Sequence, residues 1–432
     1  MSSVFTLFFE PLDVLHFREP RPWDAGLHVL SRSSFPTPGS LRAALRSALL
    51  SQVGADFGSQ DQYYGVKEVW AQKLLGGRSD PGLVTVRGPL IAVSPDLHKS
   101  ASATRQKPLP LFPPPQDLVF TEKSKKQSSE QSACVRRLRL RDLATIPEKV
   151  APTRWHFGKN LLAPAAGSQL PWTSEELVKE SLAGQYLVTA AGVDRYRSHA
   201  GTDDLVLAKA KSLADYLARH VQNQADPVSL LQRNAVYQVE SRIGIAREPD
   251  SLTVQEGMFY LALSFRFARG AGLAIEVDAT PDGVTAEEGA AMTAALRDLH
   301  GRVIQLGGRG HRARIHVSEG NLIDPLDSRL SMNSQAETPS PRSVWLITPL
   351  LWPAGQQERP ADLLTFISDR PQVIGGFDQA QRCPKPLRFA LPAGSVLFLS
   401  DGASWESVRS GLCASTWAED RCLGYGTALL NP

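Results

Sequence analysis

TAEEGAAMTAALRDLHGRVIQLGGRGHRARIHV, residues 285–317, carries a helix, a glycine loop and a strand in succession, and the reading of the chain turns on it. Glu287 and Glu288 put negative charge where a helix N-terminus is positive, and Gly301 stands where helices end in a left-handed residue. The alternation after His311 reads as a strand. Between them Gly307, Gly308 and Gly310 surround Arg309. From Leu299 to Ser318 there is no acid at all, while Arg302, Arg309, Arg312, Arg314 and three histidines bring positive charge or donors. The glycines leave the backbone N–H groups of 307 to 310 open to phosphate oxygens, and arginine adds two-pronged contacts, so the loop suits a sugar-phosphate chain. A tight turn flanked by exposed arginines is the alternative.

Upstream, Val4 to Phe9 in VFTLFFEPLD reads as a buried first strand. FPTPGSLRAALRSALL follows: Ser40 can cap a helix on which Leu41, Ala44, Leu45, Ala48 and Leu49 share one face, with Arg42 and Arg46 opposite. LVTVRGPLIAV returns to strand, Gly88-Pro89 marking a bulge or an edge. YQVESRIGIA and MFYLALSFRF alternate as two strands around a turn, and GLAIEVD adds another. The outline is β, α, β, β, α, β with long insertions, an α+β fold. One insertion, about 95–141, is basic and proline-rich: ten Lys or Arg stand against three acids between Lys99 and Arg141. Its ends are expected to be mobile, and it reads as a solvated loop or an electrostatic arm for nucleic acid. Residues 204–222 are expected to form one helix. The polar stretch 321–341 reads as a linker between a first domain, 1–320, and a smaller one, 342–432. There SVWLITPLLW is a strand, PADLLTFISD a short helix, LRFALPAGSVLFLS two strands around a turn, and GYGTALL a closing strand.

The 432 residues are 42% hydrophobic with a net charge of +3, enough for two cores and too little charge to prove a polyanionic partner. Cys134, Cys383, Cys413 and Cys422 share no CxxC spacing, which speaks against a disulfide framework or zinc site and for a reducing cytoplasm. The N-terminus lacks a basic export signal, and no run reaches membrane-spanning length.

Enzyme signatures are missing. GGRGH is neither GxxxxGK[ST] nor a full GxGxxG, and it opens a strand rather than a helix, so it offers no N-terminus for a pyrophosphate. GGFD at 375–378 resembles the GGDD turn of nucleotide cyclases, but Phe377 replaces the first carboxylate, and Asp378 alone cannot hold two metals. No HExxH, GxSxG or HxE with CxxC occurs. His16, His28 and His311 are the candidates for a general base in metal-independent RNA cleavage. In HFREPRPWDAG, Arg18, Arg21 and Trp23 can pair phosphate and stack a base. The helix start at TPGSLRAALR favours an anion, and a purely structural cap explains it as well.

Taken in order, FEPLDVLHFREPRPWDAG, FPTPGSLRAALRSALL, VRGPL, LFPPPQDLVF, RIGIAREPDSLTVQEGMFYLALSFR, LGGRGHRARI and LGYGTALL resemble the third Cmr subunit of type III-B CRISPR effectors, end to end. The resemblance places the chain in the RAMP superfamily and implies tandem ferredoxin-like (RRM-like) domains, the first with long insertions. It implies a non-catalytic RNA-binding subunit in antiviral defence. Such a subunit grips the repeat-derived 5′ tag of the guide CRISPR RNA, docks the large polymerase-cyclase subunit and meets the adjacent RAMP backbone subunit, with no cofactor and no metal.

Carried onto this chain, the expected tag contacts are Arg18 and Arg21, Ser40 and Arg42, and Gly307, Gly308, Arg309, His311 and Arg312, with Arg242 joining them. Gly375, Gly376, Gly424 and Gly426 as readily turn the chain as pack beside RNA. Segments 50–80 and 150–200 match nothing that locates a partner. The rival reading is a metal-independent endoribonuclease that processes CRISPR RNA precursors; a third is a scaffold that touches proteins alone.

Overall fold

The computed structural model describes residues 4–19, 35–98, 106–142, 169–172, 181–198, 204–221, 227–248, 250–251, 253–323, 343–352, 360, 362–378, 383–400, 402–403, 405, 408 and 424–431. Contacts along the chain divide it into two units: 1–107 with 236–320 and 373–387, and 108–235 with 321–372 and 388–432. This grouping differs from the division at 321–341 expected from the linker. Residues 108–235, read as part of the first domain, group with the C-terminal strands instead.

The first unit contains β1 (Val4–Pro11), α1 (Pro38–Gln52), α2 (Val69–Leu75), β2 (Thr85–Val93), β3 (Tyr237–Arg247), β4 (Val254–Phe267), β5 (Ala271–Asp278), α3 (Ala286–Asp298), β6 (Val303–Gln305) and β7 (Arg312–Glu319). Its sheet runs in the order β6-β7-β1-β5-β2, every pair antiparallel. The succession β1-α1-β2-β5-α3-β7 is therefore the β-α-β-β-α-β pattern read from the sequence. β3 and β4 form a separate two-stranded ribbon.

Alternation explains which side is which. Phe5, Leu7 and Phe9 of β1 share a buried cluster with Leu273, Ile275 and Val277 of β5, Ala313 and Ile315 of β7, and Leu41, Leu45, Leu49, Met292 and Leu296 of the helices. Burying each large side chain there contributes about 1.5–3 kcal/mol. Thr37 rather than Ser40 caps α1: its hydroxyl accepts from the Ser40 N–H at 3.3 Å, and Pro38 fills the first turn, where an N–H has no helical partner. Thr285 and Glu288 form a capping box at the start of α3. Gly88-Pro89 lies where the β5–β2 register shifts between Ala274 and Glu276, the bulge expected there.

The second unit corrects three expectations. Residues 204–222 are a strand, Asp204–Ala210, followed by a helix, Leu213–Val221. Leu205 and Leu207 are buried while Val206 is 51% exposed, a two-residue period, and the Ser212 hydroxyl accepts from Asp215 N at 3.1 Å, which starts the helix only there. The expected helix in PADLLTFISD is a strand, Leu363–Ile367, paired with Val396–Leu399. Its burial also alternates: Leu363, Thr365 and Ile367 face inward.

The third correction concerns the basic insertion. Its described part, 106–142, is folded rather than a loop, with strands Leu109–Leu111, Leu118–Val119, Ser132–Arg137 and Arg139–Asp142 and a helix, Glu122–Gln127. Its core end is a buried polar cluster. Asp117 accepts from Arg137 Nε at 3.0 Å and from the Tyr196 hydroxyl at 2.7 Å, while the Arg137 guanidinium lies 4.2 Å from the centre of the Tyr196 ring. Burial pushes the Asp117 carboxyl up, and Arg137 and Tyr196 pull it back. The glycine pair near the C-terminus turns the chain: Gly424 O accepts from Thr348 Oγ1 at 2.9 Å and Gly426 N donates to Pro349 O at 2.8 Å.

Candidate nucleic-acid interface

The glycine loop is the turn joining β6 to β7. Leu306, buried in the core, donates to His311 O at 2.9 Å and so closes the turn. Gly307, Arg309 and Gly310 adopt left-handed conformations, with φ of 81°, 61° and 72°. The loop then meets the segment following β1. Gly308 N donates to His16 O at 2.8 Å. A Cβ at residue 307 would stand 2.6 Å from that same oxygen, so position 307 admits glycine for two reasons at once, its dihedral and the approach of another backbone.

His16 is itself fixed from the other side. Leu15 and Phe265 exchange two backbone hydrogen bonds of 2.8 Å, which sets the chain around Leu15 beside β4. His16 Nδ1 lies 2.9 Å from Leu263 O. A carbonyl only accepts, so Nδ1 carries the hydrogen and, in the neutral ring, Nε2 is the acceptor. Burial holds the His16 pKa below its ordinary value, with Arg309 and Arg18 lowering it further against the opposing Leu263 hydrogen bond. His311 is lowered by burial too, and it feels Asp13, Arg242, His16 and Arg309. Groups from residue 13 to residue 311 thus share one electrostatic neighbourhood.

Arg242 joins this site through an ion-pair lattice rather than as an isolated charge. Asp13 lies 3.7 Å from Arg242 Nη2 and 3.3 Å from Arg266 Nη1. Glu240 accepts from Arg242 Nε at 2.8 Å and also from Arg266, and these hydrogen bonds pull its carboxyl down to about 2. Sequence reasoning missed Asp13, Glu240 and Arg266. The two-residue period put Glu240 and Arg242 on one face, but nothing local gives the register that sets Gln238 opposite Arg266.

The structure thus brings together Arg18, Arg242, Gly307, Gly308, Arg309 and His311, with exposed Arg312 opening β7 beside them. It does not bring Arg42. That side chain is buried, its Nε donating to Val84 O at 3.1 Å and its Nη2 to Gly82 O at 3.4 Å and to Pro81 O, so it ties α1 to the chain entering β2. Arg46 binds the carbonyls of Leu75 and Gly77 in the same manner. Ser40 lies exposed in the first turn of α1, its hydroxyl 2.9 Å from that of Thr37. Arg21, Trp23 and His28 lie outside the described residues. Among the described residues no group of three His, Cys, Asp or Glu side chains is placed to hold a metal ion.

The sequence model of one family, described as CRISPR-associated protein (Cas_Cmr3), matches residues 7–431. No curated protein matches the chain. Among solved structures, a chain of a type III-B Cmr-beta complex bound to cognate target RNA and AMPPnP is 15% identical, with 98% of each chain covered and a TM-score of 0.47. A second structure of that complex with cognate target RNA gives 13% identity, 98% and 96% coverage and 0.48. A Csm3-Csm4 subcomplex of a type III-A interference complex gives 10%, 92% and 94%, and 0.38. These likenesses are too distant to locate a ligand or a partner on this chain.

Proposed function

From the premise that the chain belongs to the Cmr3 family of CRISPR-associated proteins, a RAMP-like subunit of the type III-B effector complex, we propose that it grips the 5′ tag of the guide RNA at the glycine loop. In this reading it docks the large polymerase-cyclase subunit, meets the adjacent backbone subunit, acts in the cytoplasm, and leaves catalysis to its neighbours. We also carry the tandem ferredoxin-like reading as a proposal, the first unit supporting it through the succession β1-α1-β2-β5-α3-β7. The observation that carries the function is the contact of Gly307 and Gly308 with His16 O, which fixes a turn of left-handed residues beneath Arg309, His311, Arg18 and Arg242. The N–H of Gly308, expected to stay open to phosphate, is instead committed to His16 O, so the turn offers phosphate the guanidinium groups gathered around it, without needing any base identity.

The test compares guide RNA carrying its own tag with guide RNA carrying a scrambled tag, bound to the complex assembled with wild-type protein or with the Arg309→Ala, Arg312→Ala variant. Tag-dependent retention that the variant weakens supports the grip. Equal retention by the variant favours a protein-only scaffold. For a single strand, log K is expected to fall by about 0.7 per neutralised phosphate per log unit of salt, so a flat salt response counts against the grip.

One observation favours a second reading: His16, its Nδ1 turned to Leu263 O and its Nε2 the acceptor, shares its surroundings with His311 and Arg309, groups that can exchange protons and stabilise charge in metal-independent RNA cleavage. Shortened RNA on a denaturing gel without added metal, abolished by His16→Asn, would put that endoribonuclease first.

A further inference from the structure

The two faces of the first unit's sheet differ in chemistry. On β7, Ala313 and Ile315 face the helices, so Arg312, Arg314, His316 and Ser318 face away. Register places Arg312 beside Gln305 and Arg314 beside Val303 on β6, and Arg314 beside Glu10 and His316 beside Phe8 on β1. Arg312, Arg314, Gln305 and Val303 are exposed, Val303 to 44%. Of these neighbours Glu10 bears the carboxylate, and His316 Nε2 holds it at 2.9 Å. That hydrogen bond keeps the Glu10 carboxyl below its ordinary range despite partial burial, with Arg314 and Arg269 adding attraction.

We propose that the RNA strand held at the glycine loop continues across this outward face of the β6–β7 hairpin, Arg312 and Arg314 each holding a phosphate and Val303 lying beneath the nucleotide beside Arg314. The inference rests on the loop being an RNA grip. Loop and face belong to one hairpin, so a strand leaving Arg309 meets Arg312 next. Residues two apart on a strand are separated by about 7 Å, comparable to the extended backbone of one nucleotide. Acidic residues are absent from 299 to 318, and the carboxylate of Glu10 beside Arg314 is held by His316, so the arginines of the hairpin set the sign of charge along the path. Val303, exposed and directly opposite Arg314, gives a ribose or base beside that phosphate an apolar seat while the phosphate stays paired. An acidic protein segment is the competing occupant, but it would have no reason to follow the loop.

The experiment uses the assembled complex with guide RNA and places a photo-crosslinking amino acid at position 303 or, separately, at 305. Both are expected to reach the guide RNA, with position 303 joined to a nucleotide adjacent to the one reached from 305. Arg314→Gln should remove the crosslink from 303, leave that from 305, and reduce the salt slope of RNA release by about 0.7. Arg297→Gln, at a guanidinium paired with Glu319, is the matched charge control and should change neither. Crosslinks from 303 to a protein chain, or none while 305 reaches RNA, overturn the path and leave the loop grip standing. RNA reached from neither position, together with unchanged retention in Arg309→Ala, removes the loop grip as well.

Discussion

Gly307→Ala isolates the backbone contact on which the site depends, because two other glycines serve as controls for its dihedral. Gly307, Gly310 and Gly301 have φ of 81°, 72° and 81°, so alanine at each meets a similar left-handed cost of about 1 kcal/mol. At 310 and 301 a Cβ has nothing within 4 Å, whereas at 307 it would stand 2.6 Å from His16 O. That oxygen is also the acceptor for Gly308 N at 2.8 Å, and His16 is pinned by its own bond to Leu263 O, so it cannot retreat alone. Losing the hydrogen bond costs about 1 kcal/mol and forcing the packed backbone apart about 1–3 more, an excess of roughly 2–4 kcal/mol for Gly307→Ala over the controls. For a unit of about two hundred residues each kcal/mol shifts Tm by roughly 2–4 °C, so calorimetry should find Gly307→Ala melting at least roughly 4 °C below Gly310→Ala. Hydrogen exchange should quicken at residues 12–17 in that variant alone. Equal melting temperatures for the 307 and 310 variants, with unchanged exchange at 12–17, would refute the argument that the loop is built against His16.

Arg42→Ala should lower stability by about 3 kcal/mol in denaturant titration, since it orphans buried carbonyls of residues 81–84, and Arg42→Lys should recover little because one ammonium cannot reproduce the fork; neither should alter the salt slope of RNA binding. Tyr196→Phe removes the hydroxyl that donates to Asp117 and accepts from Arg137, and should cost about 1–3 kcal/mol by the same measurement; Asp117→Ala, which leaves Arg137 buried without its partner, should cost about 3–5. His16 should make stability fall with acid: its folded pKa lies below the ordinary 6.5, so the unfolded chain takes up the proton first. The stability present above about pH 6.5 is then lost as pH falls through 6.5 toward the folded value. Tm measured from pH 7.5 to 5.5 should drop more in the wild type than in His16→Asn, and parallel curves would show that His16 is not the group responsible.

Where local pattern and burial coincide, the fold was legible. The run VFTLFF needs no partner to be recognised as a strand buried on both faces, and the acid start and Gly301 bracket α3 from the sequence alone. Two of the failures share a physical source, since DLVLAKAKSLADYLARHV and LLTFI carry apolar residues that satisfy a helical and a strand period at once. What separates the readings is a neighbour: Leu205 pairs with Val135, and Leu397 with Phe366, positions remote in sequence. The Thr37 cap belongs with these, because both it and Ser40 have the right chemistry and the choice depends on where the preceding chain approaches the helix.

For the site, the legible part was the sign of charge and the close approach of glycine; the illegible part was which arginines remain available to a ligand. Arg42 and Arg46 look on a helical wheel like a cationic stripe, yet both guanidinium groups end on backbone carbonyls of residues 75–84, which a turn without a regular ladder leaves in need of donors. Arg137 lies in the most basic segment and is neutralised by Asp117 inside the second unit. Arg242 was chosen for its place before Gly244, and its charge is shared with Asp13 and Glu240. Arg312 and Arg314 differ because of where they sit: alternation on β7 sends them away from the helices, β6 on one side offers no acid, and Glu10 of β1 on the other is hydrogen-bonded by His316. A basic composition therefore says little about nucleic-acid binding until the backbone has taken its share of the donors. The hairpin, whose arginines alternate away from the helices, is where a surplus of positive charge can persist.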